Sequence, residues 1–230
     1  MPGDGTKLGT TTHNPPPARL LDLTRLMRRA GKVLTGVDQV EAAYLRALLH
    51  DDVPLFGLIR SRLGYILLDR AGLDALCPVL TGNPADVRQG QILRLARRHA
   101  IARVPPILLT RMLRRALPRR VAYVNVGHSN LTQRVLGALR AVDAHIAVMI
   151  HDVIPLEFPD YQRDGTVPAF AALIARVGAA AELVIYNSKD TKRTAEAPWR
   201  APPASGVSHV GRITTSPARG EFRRAALMRP

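Results

Sequence analysis

The sequence predicts an α/β domain with a doubly wound, mostly parallel sheet, and the second half of the chain carries that prediction. From Val121 onward, apolar runs and amphipathic stretches alternate in the order strand, helix, strand, helix, strand, helix. The three runs, "VAYVNVG", "AHIAVMI" and "ELVIYNS", are apolar on both faces, as expected of parallel strands covered by helices. Such alternation favours a Rossmann-like sheet with helices on both sides.

The first half predicts further elements. "RLLDLTRL" is a short strand, followed by a glycine-bearing loop from Gly31 to Gly36. Thr35 is the expected N-cap of a helix whose inner face carries Val37, Val40, Tyr44 and Leu48, with charges on the other side. "VPLFGLIRS" and "LGYILLDR" predict two strands with a tight basic turn, "AGLDALCPVL" predicts a short helix, and residues 81–118 predict an Arg-rich, mostly helical excursion broken at Pro105-Pro106.

Composition divides the chain into three parts. Residues 1–17 are polar and rich in Pro and Gly, which predicts a disordered leader without a signal peptide. Residues 18–196 form the α/β domain. Residues 197–230 are rich in Arg and Pro and lack periodicity, so we expect a disordered tail that reflects truncation or a frameshift near Glu196.

Cysteine content and hydropathy restrict the class of protein. Cys77 is the only cysteine, so neither an intramolecular disulfide nor a zinc knuckle is available, and a reducing compartment such as the cytoplasm is expected. No stretch approaches 18 uncharged apolar residues, so no transmembrane segment is predicted.

The formal charge of +15 raises the question of an anionic partner. Only four of the 33 basic residues are lysines, a bias that a GC-rich coding sequence also produces, and the most basic stretch has helical character. Nucleic acid is therefore a disfavoured partner. Two interpretations of the Arg-rich region stay open: an ordinary solvated helix face, or peripheral contact with an anionic membrane surface.

Polar residues follow each of the predicted parallel strands. In open parallel sheets, ligands bind beyond the carboxyl ends of the strands, so we expect these tips to form one rim with the glycine loop. Each candidate also has a purely structural interpretation: turn chemistry for the glycines, helix capping for the Ser and Asn residues, and for His151 an imidazole whose hydrogen bonds go to the backbone. The candidate residues are His151 and Asp152, then His128, Ser129 and Asn130, then Asn187 and Ser188.

Three stretches, "TGVDQVEAAYLRALL", "HDVIPLEFPDY" and "AELVIYNSKDTKRT", resemble the N-terminal half of GT-B glycosyltransferases. The nearest type is the bacterial retaining, mannosyltransferase-like enzymes of group 1 (family 4) that build polysaccharides and lipid-linked glycans. The resemblance covers residues 19 to 196. It implies one half of a GT-B fold, in which this domain binds the acceptor and a second domain binds the sugar nucleotide.

The resemblance also implies roles for individual residues. His151 would lie beside the transferring sugar and orient a hydroxyl, and is the expected catalytic residue. Gly31, Thr35 and Gly36 belong to the loop that approaches the donor phosphates and the acceptor, although Gln39 stands where the family carries a basic residue. The other rim residues would bind the acceptor. No metal is expected, since the family generally lacks the Asp-x-Asp motif and none occurs here, and the only co-substrate is a nucleotide sugar.

The sequence therefore predicts the acceptor-side part of a glycosyltransferase that moves a sugar from a nucleotide-diphosphate sugar to a glycan or lipid-linked acceptor. No second run of strand-helix units and no family-like glutamate pair follows, so we expect weak activity from this chain alone. The alternatives are a non-catalytic acceptor-binding module that pairs with a separate donor-domain chain and, less favoured, a basic nucleic-acid-binding protein.

Overall fold

A computed structural model describes residues 16–82 and 89–196. Within these residues the strands form a seven-stranded sheet in the order β4-β3-β2-β1-β5-β6-β7. The pairs β1–β2, β1–β5, β5–β6 and β6–β7 are parallel, whereas β3 is antiparallel to both of its neighbours. The predicted α/β class with a mostly parallel, helix-covered sheet is confirmed. The leader up to residue 15 and the tail from residue 197 lie outside the described residues.

The elements have the following bounds. The strands are β1 Arg19–Asp22, β2 Leu55–Ser61, β3 Gly64–Leu68, β4 Ala100–Val104, β5 Ala122–Asn125, β6 His145–Ile150 and β7 Leu183–Tyr186. The helices are α1 Thr24–Arg29, α2 Gly36–Leu49, α3 Arg70–Thr81, α4 Gln89–Arg98, α5 Leu109–Ala116, α6 Gln133–Arg140, α7 Ile154–Glu157, α8 Thr166–Ala180 and α9 Lys189–Glu196.

Two apolar layers lie on opposite faces of the sheet, because successive strand residues point to opposite sides. In β1, Leu20 belongs to the layer under α5, α6 and α8, while Leu21 belongs to the layer under α1 to α4. Val148 of β6 belongs to the first layer in the same way. Leu, Ile and Val supply most of both layers, in keeping with the scarcity of aromatic residues.

Three sequence predictions are wrong in detail. The stretch "RLLDLTRL" is a strand only as far as Asp22, and its second half begins α1, so the glycine loop follows a short helix. The Arg-rich excursion contains the strand β4, which pairs with β3 at the edge of the sheet. The inner face of α2 buries Asp38 and Glu41, so its charges are not confined to the outer face.

The order of the strands positions the candidate site. From β1 the chain moves outward through β2, β3 and β4, and it then returns to place β5 on the other side of β1. The connections after β1 and β5 therefore diverge, and in open α/β sheets the ligand crevice lies at such a point, here the carboxyl ends of β1 and β5. The carboxyl end of β6 lies beside that of β5.

Candidate functional site

The floor of the crevice is a buried polar network centred on Asp22, the last residue of β1. The Asp22 Oδ2 accepts hydrogen bonds from the Tyr123 hydroxyl at 2.9 Å and from Asn130 Nδ2 at 2.7 Å. Asn125 Nδ2 donates to the Tyr123 hydroxyl and to the Ser129 carbonyl, both at 2.8 Å. Burial raises the pKa of Asp22, although hydrogen bonds from Asn130, Thr24 and Tyr123 oppose that shift. The network fixes the turn after β5 against the end of β1.

A second buried acid, Glu41, lies beside this network on the inner face of α2. Its Oε1 accepts from the Leu26 backbone N–H at 3.4 Å, and its Oε2 has no hydrogen-bond partner within the described residues. Burial raises the pKa of Glu41 to about 8, and the nearby charge of Asp22 adds to the shift. Glu41 also occupies the space beside Gly127, where an added Cβ would lie 2.5 Å from Oε2.

The start of α2 is held by an ion-pair cluster. The Asp38 carboxylate accepts from the Thr35 backbone N–H at 2.8 Å and from its hydroxyl at 2.7 Å, which confirms the capping position of Thr35. The same carboxylate pairs with Arg25 at 2.7 Å and with Arg29 at 3.0 Å. Burial alone would raise the pKa of Asp38, but the hydrogen bonds from Thr35 and Arg25 outweigh it and hold the pKa below its usual value.

Two histidines meet at the carboxyl ends of β5 and β6. The backbone N–H of His151 donates to His128 Nε2 at 3.2 Å, and the two ring centroids lie 5.2 Å apart. Burial, together with the neighbouring His151, lowers the pKa of His128 to about 4, so that this ring is a neutral acceptor at pH 7. The pair ties the turn after β5 to the end of β6.

The His151 ring itself makes one hydrogen bond. Its Nε2 lies 2.8 Å from the Val126 carbonyl oxygen, which can only accept, so that in neutral His151 the proton is on Nε2. Nδ1 is then an acceptor, and it has no hydrogen-bond partner in the described part of the chain. The ordinary interpretation of His151 as a backbone-satisfied residue therefore accounts for one ring nitrogen and leaves the other unexplained.

The remaining rim candidates lie close by in the sheet. Ile150 pairs with Tyr186, so that His151 and Asn187 follow neighbouring residues of adjacent strands. The Ser188 hydroxyl accepts from the Thr191 backbone N–H at 2.9 Å and thereby caps α9. The Asp152 side chain accepts from the Ile154 backbone N–H at 3.4 Å. The role of these residues in acceptor binding stays a prediction.

Arg25 lies between the glycine loop and the turn that carries His128. The Arg25 side chain contacts Thr35 at 3.4 Å, and an added Cβ at Gly127, next to His128, would lie 2.9 Å from the Arg25 Cβ. Gly36 is the exposed first residue of α2, with open space around its Cα. Gly31 has a φ of +76°, in the left-handed region, and ends the turn after α1, which supports the turn chemistry considered for it.

The capping interpretation of the segment after β5 is wrong, because α6 is capped by Thr132, whose hydroxyl accepts from the Val135 N–H. His128 and Asn130 instead adopt left-handed conformations, with φ of +56° and +65°. This backbone turns Asn130 toward Asp22 and His128 toward His151. Both side chains thus make contacts at the carboxyl ends of the strands and do not cap α6.

Sequence reasoning missed the polar floor of the site, which consists of Asp22, Tyr123 and Asn125, and the buried Glu41. The available signal was a polar residue at the end of an otherwise apolar strand, since "RLLD" ends in Asp22 and "VAYVN" ends in Asn125. Glu41 carried a similar signal, because it stands one helical turn before Leu45 on the buried face.

Within residues 16–82 and 89–196, no group of three or more His, Cys, Asp or Glu residues is placed to hold a metal ion. In the same ranges no helix is long and apolar enough to cross a membrane. No protein-family model, curated protein or solved structure matches the chain. The fold class therefore rests on the observed sheet topology, and the glycosyltransferase resemblance rests on the three sequence stretches that carry it.

Proposed function

We propose that residues 18–196 are the acceptor-side domain of a glycosyltransferase that moves a sugar from a nucleotide-diphosphate sugar to a glycan or lipid-linked acceptor. The observation that supports this most directly is the unused Nδ1 of His151 at the carboxyl end of β6. A buried imidazole that is fixed through one nitrogen presents the other in a defined direction, as an orienting residue requires.

In this proposal His151 orients a hydroxyl and does not act as the base that removes its proton. Nδ1 accepts a hydrogen bond from the acceptor hydroxyl that meets the transferring sugar, while Val126 and His128 hold the ring and its backbone in place. Retaining enzymes of the resembled type are generally thought to use the leaving phosphate as the base.

The start of α2 would serve the donor phosphates. Backbone N–H groups at a helix N-terminus favour anions, and the exposed Gly36 allows close approach. The Asp38 carboxylate already lies at this helix N-terminus. Its two ion-pair partners, Arg25 and Arg29, leave the three side chains with a net charge of +1. The charge that develops on a leaving diphosphate would be stabilised there.

A binding experiment tests this assignment. The probe is farnesyl-diphosphate-linked N-acetylglucosamine, a short lipid-linked acceptor, titrated into the purified chain and followed by calorimetry. In the variant His151→Gln, the amide can still donate to Val126, but the acceptor at Nδ1 is lost. We expect its Kd for the probe to rise about tenfold, which corresponds to one hydrogen bond.

The matched control is His145→Gln, at the opposite end of β6. It should leave the Kd of the probe unchanged. Failure of the unmodified chain to bind the probe, or equal weakening by both variants, would contradict acceptor binding at this rim.

A second measurement tests the half-enzyme part of the proposal. The described residues form a single α/β unit. In this proposal that unit binds the acceptor, and the donor nucleotide needs a second domain. We expect the purified chain, supplied with a panel of nucleotide sugars and the same probe, to show little transfer or hydrolysis. Sustained turnover without an added subunit would refute the half-enzyme claim. The claim of acceptor binding would then be tested by the binding experiment alone.

A further inference from the structure

The tip of the β2–β3 hairpin and the segment after β4 form one exposed surface. Added at Gly64, a Cβ would lie 2.0 Å from the Val104 carbonyl oxygen and 2.9 Å from the Pro105 Cα, so these two backbone segments touch. The hairpin turn carries Leu63, and the turn after Pro105 carries Ile107 and Leu108. Both follow strand ends at the carboxyl edge of the sheet, the edge that also carries His151.

Three large aliphatic side chains project from this surface. Leu63 is 75% exposed, Ile107 81% and Leu108 40%. The residues that follow are firmly packed, since Leu109, Met112 and Leu113 of α5 are buried in the core. The exposed side chains are thus presented on a rigid base.

The same segments carry positive charge. Arg60 and Arg62 flank the hairpin turn, Arg111 lies in the first turn of α5, and all three are exposed. None of them forms an ion pair within the described residues. The sequence has no acidic residue between Asp52 and Asp69 or between Asp86 and Asp143, so nothing nearby along the chain offsets them. We call this surface the basic tip, and its members are Arg60, Arg62, Leu63, Ile107, Leu108 and Arg111.

We infer that the basic tip docks the protein on an anionic lipid bilayer. Exposed aliphatic side chains on segments that also carry exposed arginines match a bilayer interface, where the acyl boundary receives the apolar groups and the anionic headgroups pair with the guanidinium groups. Single-stranded nucleic acid fits less well, because its bases stack on aromatic side chains and the basic tip has none. Docking at this edge holds the carboxyl ends of the strands near the headgroups.

Co-sedimentation of the full chain with lipid vesicles tests this inference. We expect binding to vesicles of phosphatidylcholine with 30% phosphatidylglycerol and little binding to pure phosphatidylcholine. The variant Arg62→Gln/Arg111→Gln should weaken binding about thirtyfold, if each arginine contributes as basic residues near anionic headgroups do. The variant Leu63→Ser/Ile107→Ser should weaken binding at least tenfold with all charges retained.

The matched control is Arg97→Gln/Arg98→Gln, which removes the same charge at the end of α4, next to the amino end of β4. It should change vesicle affinity less than threefold. As a second readout, Ile107→Trp should add fluorescence that shifts to the blue with anionic vesicles, measured against the chain with its native Trp199 alone.

Three results would overturn the inference. One is absence of binding to anionic vesicles. Another is equal weakening by the tip and control arginine variants, with Leu63→Ser/Ile107→Ser unaffected, which would indicate attraction by net charge alone. The third is tip-dependent binding of RNA or DNA without vesicle binding, which would assign the basic tip to nucleic acid.

Discussion

At the residue scale, the most unusual group is the Glu41 carboxyl. Its side chain is fully buried beside Asp22, and no cation is paired with its Oε2 in the described part of the chain. Burying an unpaired carboxylate is costly, so the group keeps its proton instead. Burial and the Asp22 charge thus raise the Glu41 pKa to about 8.

This shift has a consequence for stability. The folded chain holds the Glu41 proton up to about pH 8, whereas the unfolded chain releases it near the ordinary value of 4.5. Between these values the folded state binds more protons, so its free energy of unfolding falls as pH rises. We expect Glu41→Gln to remove this contribution, because the amide is neutral at every pH and its oxygen can still accept from Leu26.

Urea denaturation at pH 5 and pH 8 measures the effect. The variant should gain stability relative to the unmodified chain on going from pH 5 to pH 8. Glu157→Gln, at an exposed position, removes the same charge and should show no such gain. A stability difference between the Glu41 variant and the unmodified chain that stays constant with pH would contradict the assignment.

At the element scale, the β2–β3 hairpin depends on one glycine. Gly64 has a φ of +141°, a conformation that L side chains rarely adopt, and its missing Cβ is the space that the Val104 carbonyl occupies. Packing the edge strand β4 against β3 therefore requires glycine at this position.

A pair of glycine substitutions tests this dependence. Gly64→Ala should lower the free energy of unfolding by about 3 kcal/mol or more, because backbone strain and the clash with Val104 combine. Gly137→Ala, in the exposed middle of α6 with open space around it, should raise it by about 0.5–1 kcal/mol. Thermal unfolding followed by circular dichroism reports both. Equal effects of the two changes would show that β4 does not pack as described.

The elements predicted from sequence were those with strong local patterns. β5, β6 and β7 are apolar on both faces and bounded by polar residues, and the structure has each of them. β4 was missed because "AIARV" is short, carries an arginine and lies at the edge, where the outward side chains are exposed. Its strand conformation depends on pairing with β3, which is far away in the sequence.

The candidate site shows the same difference between local features, which the sequence reveals, and long-range contacts, which it does not. His151 was identifiable because a strand tip is a local feature. The contacts of Asp22 with Tyr123 and Asn130 join residues 101 and 108 positions apart, which no local pattern encodes. The left-handed turn at His128 and Asn130 was likewise not visible, since neither residue is a glycine.

At the scale of the whole molecule, the carboxyl edge of the sheet carries the proposed functions. The crevice between β1 and β5, the histidine pair and the basic tip all lie at this edge. The amino edge carries different features, such as the His145–Glu182 pair at 2.6 Å. An acceptor anchored in a bilayer would therefore meet the rim and the docking surface from one side.

The most direct test of the central claim follows the ring nitrogens of the histidines by NMR, with farnesyl-diphosphate-linked N-acetylglucosamine added stepwise to ¹⁵N-labelled protein. We expect the Nδ1 resonance of His151 to shift with the probe and that of His128 to shift with it, while His145 and His50 stay unchanged. A saturable shift confined to His145 or His50, or no shift at His151 when the probe is bound, would contradict a binding site at the carboxyl ends of these strands.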